Sequence, residues 1–387
     1  MNFSKEEYDQ RLIKTRKAMS SAGIDVLVVC DPSNMHWLCG YDGWSFYVAQ
    51  AVVVFMDKET LWWGRPMDAA GVGATTTLSS EQVYTYSDDY VQNPQKHPYS
   101  HLVTVLQSLK VSSDRIGIEM DNYYFSARSM AVLSSELPNA KFVDATALVN
   151  WQRSVKSARE LEYMRRAGTI VSKMHERIRD KLQPGMRKCD LVAEIYDAGI
   201  RGTPEFGGDY PAIVPLLPSG PDAAAAHLTW DDKPMKSGEG TFFEIAGVYH
   251  RYHCPTSRSA FIGNPPEKFL EAHKAVMEGL DAGLEKARPG NCCEDIANAL
   301  FAVLRKYDIH KDSRCGYPIG LSYPPDWGER TMSLRPGDKT ELKTGMTFHF
   351  MPGLWMDDWG LEVTESFIIG ESSPELLADI TRELVIV

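Results

Sequence analysis

The spacing of apolar positions changes along the chain, and each change marks an element. Residues 4–22 read as an amphipathic helix. Ser4 stands three residues before Glu7, the capping-box spacing, Glu6 and Glu7 put negative charge in the first turn, and Gly23 closes the helix. Residues 24–30 form a short unbroken apolar run, the mark of a buried strand. Further strands are expected at 50–56 and 60–64, and helices at 101–109 and 126–137. Strands alternating with helices predict an α/β domain of about 150 residues. Beyond residues 151–160 the pattern changes. Residues 159–182 place Leu161, Met164, Ile170, Val171, Met174 and Ile178 near helical period, and Pro184-Gly185 ends that helix. More helices are expected at 190–200, 266–287 and 293–307. Two strands, 241–246 and 251–262, lie between them. The second half therefore predicts an antiparallel sheet backed by helices.

Composition narrows the function classes. The 387 residues are 43% hydrophobic and 24% charged, as in an ordinary globular protein. The net charge of −11 argues against non-specific nucleic-acid binding. No signal peptide is read in the charged start of the chain, and no apolar run approaches the roughly 20 residues needed to span a bilayer. The seven cysteines have no CxxC spacing, so reduced thiols and a cytoplasmic location are expected. Cys254 has two readings, a nucleophile or a small buried filler, and the filler is the expectation on general grounds. One turn-rich segment, residues 31–47, is dense in aromatics: Trp37, Tyr41, Trp44, Phe46 and Tyr47. Two readings are open for it, a core cluster or an aromatic wall for a flat or cationic ligand.

The strand at 241–246 carries one carboxylate, Glu244, among Phe242, Phe243, Ile245 and Ala246. A buried glutamate in such company is costly without a partner. The strand pair holding it resembles the metal-ligand strands of the pita-bread hydrolases, the family of methionine aminopeptidase, Xaa-Pro peptidase and creatinase. That resemblance implies an α+β protein: an N-terminal creatinase-type α/β domain over residues 1–153, then a catalytic pita-bread domain over 154–387. It also places the five metal-ligand positions of the family. Glu244 takes the first. Pro255 takes the second, in Tyr252-His-Cys-Pro-Thr-Ser-Arg-Ser259. Tyr317 stands where a histidine is usual, Met351 where a glutamate is usual, and Thr364 at the last position. Proline, tyrosine, methionine and threonine do not build a two-metal site, so no dinuclear metal centre and no cofactor are expected. Strand alternation turns His253, His349 and Glu362 to the same face as Glu244. Two histidines and two glutamates are also a possible mononuclear zinc set. His227, after Pro218-Ser-Gly220, matches the acid–base histidine of metal-free creatinase.

Longer strings, among them Gly40-Tyr-Asp-Gly-Trp-Ser-Phe-Tyr47 and Gly320-Leu-Ser-Tyr-Pro-Pro-Asp-Trp-Gly-Glu-Arg330, resemble the branch of this family that opens the cyclic amidine ectoine. The resemblance implies metal-free ring opening to N-acetyl-2,4-diaminobutyrate. Glu244 is then the general base or nucleophile at the amidine carbon, Glu362 the partner of the amidinium N–H groups, and His227 the acid for the departing nitrogen. Trp37, Tyr41, Trp44, Phe46, His253, Tyr317, His349 and Thr364 are the expected substrate-binding residues. A homodimer is implied, with the aromatic segment closing the neighbour's site, and hydroxyectoine and a downstream deacetylase are further candidate partners. A creatinase-like amidinohydrolase, a metal-dependent Xaa-Pro dipeptidase and a non-catalytic binder are the competing readings.

Overall fold

The structure, a computed structural model, describes residues 2–387. The chain divides into two compact units, one ending at Arg153 and the other running Ser154–Val387. The first contains α1 (Lys5–Ala22), β1 (Val26–Val29), α2 (Pro32–Cys39), β2 (Ala51–Phe55), β3 (Leu61–Gly64), α3 (Pro66–Thr75) and β4 (Val83–Thr85), then α4 (Pro98–Ser108), β5 (Arg115–Ile118), α5 (Ala127–Glu136), β6 (Lys141–Asp144) and α6 (Leu148–Arg153). The sheet order is β4-β3-β2-β1-β5-β6. In β1 all four residues are buried, Val26 and Val28 in one apolar cluster, Leu27 and Val29 in the other. A strand covered on both faces reads as an unbroken apolar run, which is why β1 was legible.

Two expectations are corrected here. The segment 31–47 is not all loop. Asp31 accepts a hydrogen bond from Ser33 N, Pro32 opens the helix, and Gly40 ends it with φ 87°, so α2 forms inside it. Trp37 and Tyr41 are core residues, 3% and 2% exposed, and belong to the cluster of Leu27, Val29 and Trp62. The Tyr41 hydroxyl is occupied by Ser45 Oγ at 3.0 Å. Neither ring is a ligand wall in this unit. Trp44 is 56% exposed and packs against Phe46, centroids 4.8 Å apart.

The second unit contains α7 (Ala158–Lys181), α8 (Lys188–Arg201), β7 (Gly240–Tyr249), β8 (Tyr252–Phe261), α9 (Glu267–Leu284), α10 (Cys293–Lys306) and β9 (Gly316–Pro318), then β10 (Thr347–Phe350), β11 (Leu354–Trp355), β12 (Gly360–Leu361), β13 (Glu365–Ile369), β14 (Pro374–Leu376) and β15 (Val385–Ile386). Strands β7 and β8 form a ten-pair antiparallel ladder, beside which β15 lies parallel. The second sheet is β14-β13-β10-β9, antiparallel throughout. Helices α9 and α10 bury Val276, Leu280, Ile296 and Leu300 against Phe348, Phe350 and Phe367. A capping box at Ser157 and Glu160 starts α7, which packs on β7 and β8. The approach is close at Gly247, where a methyl group would collide with the Ala167 carbonyl. No helix among the described residues is long and apolar enough to cross a membrane.

Candidate active site

Glu244 lies mid-strand in β7. Its backbone pairs on the outer edge with Leu216, which donates to Glu244 O at 3.0 Å and accepts from Glu244 N at 3.1 Å. Across the ladder it faces Ser257 of β8. The side chain is 5% exposed. Glu362, just after β12, is fully buried. Its backbone is clamped by one hydroxyl: Glu362 N donates to Ser259 Oγ and Ser259 Oγ donates to Glu362 O, both at 2.9 Å. With the main chain fixed, the carboxylate has little freedom, yet neither of its oxygens has a hydrogen-bond partner.

An ionised carboxylate buried without a partner is strongly disfavoured, so the proton affinity must rise. Burial pushes both carboxyls well above the usual glutamate range, and the charge of Glu362 pushes Glu244 further. Ser257 and Lys311 lie near Glu362 and favour its charged form. Ser257 Oγ does not reach hydrogen-bond geometry and stands unpaired itself. The two glutamates therefore titrate as one pair that holds a proton more tightly than an isolated glutamate does.

Beside this pair runs a chain of hydrogen bonds. Trp327 Nε1 donates to Tyr317 Oη at 2.8 Å, and Tyr317 Oη lies 3.2 Å from His349 Nδ1. His349 Nε2 lies 2.8 Å from Thr364 Oγ1, which accepts from Ser257 N at 2.7 Å. Burial holds the His349 pKa down at about 3, so the ring is neutral and carries one N–H. Burial first, then the Glu244 charge, holds the Tyr317 phenol well above its ordinary value.

These contacts decide the fit of a metal. Both His349 nitrogens are bonded within the chain. In His253, Nε2 accepts from Ala212 N at 2.8 Å and Nδ1 faces Arg251 O at 2.8 Å, so Nδ1–H donates to that carbonyl. Neither imidazole has a lone pair to offer, and Pro255 and Met351 supply no hard donor. Two carboxylates remain, fewer than the three protein ligands of a catalytic zinc site. The residues present do not fit a metal pair or the mononuclear alternative, and no group of three or more His, Cys, Asp or Glu residues among those described is placed to hold an ion.

The structure thus brings together Glu244, Glu362, Tyr317, His349 and Thr364. His253 is left out of substrate binding, because it ties the segment around Ala212 to β8. His227 is exposed, in the turn after the 3-10 segment Gly220–Ala224. The carbonyl of neighbouring Leu228 accepts from Leu217 N, next to the Leu216 that edges Glu244. Cys254 is buried with its thiol pushed up to about 12, so it is inert filler. Sequence reading missed Lys311, Trp327, Ser257 and Trp355. Lys311 sits in the polar run His310-Lys-Asp-Ser-Arg314, which looks like a solvated turn.

Two cavities are prominent. One of about 680 Å³ is lined only by first-unit residues, including Tyr86, Tyr90, Tyr99 and Tyr124. The other, about 360 Å³, is lined by Ile245, Ala246 and Val248 of β7, directly after Glu244, together with Tyr196, Tyr210 and Arg251.

Known proteins share the fold of this chain. The profile of metallopeptidase family M24 matches residues 162–371, and that of the creatinase/prolidase N-terminal domain matches residues 11–155. An ectoine hydrolase from Halomonas elongata is 57% identical over 391 aligned residues, covering 99% of this chain and 98% of that protein. Among solved structures, dipeptidase PepE from Mycobacterium ulcerans superposes with a TM-score of 0.83 at 21% identity, covering 100% of this chain and 99% of that one. Recombinant prolidase from Thermococcus sibiricus superposes with a TM-score of 0.85 at 18% identity, covering 98% and 99%. Those identities speak to the fold alone. With its own profile matching more than half of the residues, the chain belongs to metallopeptidase family M24, carrying the creatinase/prolidase N-terminal domain ahead of the M24 domain.

Proposed function

We propose that this protein hydrolyses ectoine, opening its cyclic amidine ring to N-acetyl-2,4-diaminobutyrate without a metal ion. The 57% identical Halomonas elongata protein, named an ectoine hydrolase, supports the substrate. The observation that carries the reading is the buried Glu244–Glu362 pair, with both Glu362 oxygens unpaired. A pair of carboxylates in that state is complementary to a cation with several N–H donors, and an amidinium is such a cation. Its positive charge at carbon also supplies the electrophilicity that a metal gives a peptide bond.

In this reading the incoming amidinium displaces the proton that the pair retains. Glu362 accepts the amidinium N–H groups. Glu244 delivers oxygen to the amidine carbon, by deprotonating a water or by attacking directly. The carbon becomes tetrahedral, one carbon–nitrogen bond breaks, and the departing nitrogen takes a proton from His227. The net change is addition of one water, whose protons end on nitrogen. In the general-base route its oxygen becomes the acetyl carbonyl oxygen; in the direct-attack route a Glu244 oxygen does, while the water oxygen replaces it in the carboxylate. Tyr317 and Thr364 border the reacting centre through the chain to His349.

Trp44 and Tyr47, 56% and 69% exposed, are an unusual concentration of surface aromatic area. We assign them to the closing of a neighbouring subunit's site in a C2 homodimer. The free thiols favour a reducing, cytoplasmic setting, and the acetamide product calls for a deacetylase downstream. The test is a panel of ectoine, hydroxyectoine, creatine and an Xaa-Pro dipeptide. Turnover of ectoine supports the proposal. Turnover of creatine alone sinks it in favour of an amidinohydrolase. Single turnover in 18O-water separates the two roles of Glu244, since label in that carboxylate requires an ester intermediate.

A further inference from the structure

The proposed substrate is a zwitterion, and the two glutamates account only for its cation. We propose that the Lys311 ammonium and the Trp355 indole N–H form a carboxylate subsite beside Glu362, which holds the substrate's anionic group. This deepens the ectoine reading and rests on it for the identity of the ligand.

The geometry centres on Gly353, the residue before β11, opposite Glu362 across the β11–β12 hairpin. A Cβ on Gly353 would lie 3.0 Å from Glu362 Oε1 and 2.6 Å from the edge of the Trp355 ring. The indole and the carboxylate are thus gathered around one small residue. Trp355 Nε1 is buried with no acceptor. A buried indole N–H normally finds a partner, so an orphan of this kind marks a place for a ligand oxygen. The Trp355 ring also packs against the cluster of Leu216 and Phe242, and Leu216 is the strand-edge partner of Glu244.

Lys311 lies over the same ring, Nζ 4.8 Å from the centroid. Its Nζ donates to Gly353 O at 2.8 Å and Ser313 Oγ at 2.9 Å. An ammonium has three N–H donors, so one remains. Burial draws the lysine pKa down while the Glu362 charge opposes this, so the two groups sense each other. They nevertheless make no hydrogen bond to each other, both Glu362 oxygens being without a partner. The ammonium is fixed near the carboxylate without neutralising it.

Three other cations of this unit are committed or exposed. Arg258 spends its donors on Thr381 O, Ser257 O, Thr364 O, Ile380 O and Glu365. Lys156 is paired with Glu329 at 2.7 Å. Arg314 lies over Tyr317 at 4.7 Å but is exposed to solvent, where a carboxylate gains least.

The experiment is a titration of the full-length protein labelled with 15N-tryptophan, using acetate and ectoine as separate probes. The Trp355 indole signal is assigned by its loss in Trp355→Phe. Acetate and ectoine should both move that signal. Lys311→Met should weaken both titrations about ten- to hundredfold and raise KM for ectoine by a similar factor with kcat little changed. Lys311→Arg, which keeps the charge, should recover most of the binding and guards against a folding defect. Arg314→Ala should change neither titration. A Trp355 signal unmoved by acetate overturns the proposal, as does a titration that depends on Arg314 instead of Lys311. If acetate binding requires Lys311 while ectoine is neither bound nor consumed, the subsite stands and the ectoine reading falls.

Discussion

Glu244 and Glu362 are held at a cost to the fold. Each binds its proton more tightly when buried than in the unfolded chain. Stability from this source is therefore full below the ordinary glutamate pKa and is lost as pH rises through the raised values. Glu362→Gln removes the penalty of ionisation. We expect its Tm to exceed wild type by a few degrees at pH 8 and to match it near pH 4, which paired melting curves will check. The same linkage governs binding: amidinium affinity should grow as pH rises and the pair loses its proton, with proton release on binding below that limb. Calorimetry in two buffers of different ionisation enthalpy measures it. Glu244→Ala should lower kcat by roughly 10³-fold or more while leaving Tm close to wild type. A large fall in Tm would show a structural carboxylate instead. Glu244 was legible in sequence because it interrupts an apolar strand. The partners of the histidines were not, since strand alternation turns His253 and His349 inward without saying that Ala212, Tyr317 and Thr364 occupy their nitrogens. Lys311 and Trp355 were hidden for a related reason, because only the hairpin pairing brings Trp355 and Glu362 around Gly353.

At the level of elements, two close contacts set the site. Gly247 lets α7 lie directly on β7, the strand that carries Glu244. Gly247→Ala places a methyl group against the Ala167 carbonyl, backbone that cannot yield, and should cost roughly 2–3 kcal/mol or more in urea denaturation. The chain Tyr317–His349–Thr364 is the second. Thr364→Val leaves His349 Nε2 and the Ser257 N–H without their partner, at an expected cost of about 1–3 kcal/mol. Long elements were readable from periodicity, as α7 and α10 show, and β1 from its unbroken apolar run. The strands β4 and β6 were not. They have three and four residues, no fully buried position, and Lys141 and Asp144 exposed at the ends of β6. Neither presents an alternation to detect. Helix α2 was obscured because its eight residues are all buried, which erases the polar face that periodicity needs.

For the whole molecule, strands β7 and β8 and the β11–β12 hairpin frame a carboxylate pair and a neutral hydrogen-bond chain. Pro255 and Met351 offer no hard donor there, and in the proposed reading Glu362, Lys311 and Trp355 receive a zwitterion. If the exposed Trp44 belongs to a subunit contact, Trp44→Ala should weaken the dimer in analytical ultracentrifugation and raise KM without altering the isolated fold. The central claim, metal-free opening of a cyclic amidine, is met most directly by one measurement. Protein stripped with chelator and assayed for residual metal is incubated with ectoine, and the ring-carbon and methyl signals are followed by NMR. The account predicts conversion to N-acetyl-2,4-diaminobutyrate at an undiminished rate. Conversion that appears only after zinc or manganese is restored would contradict it.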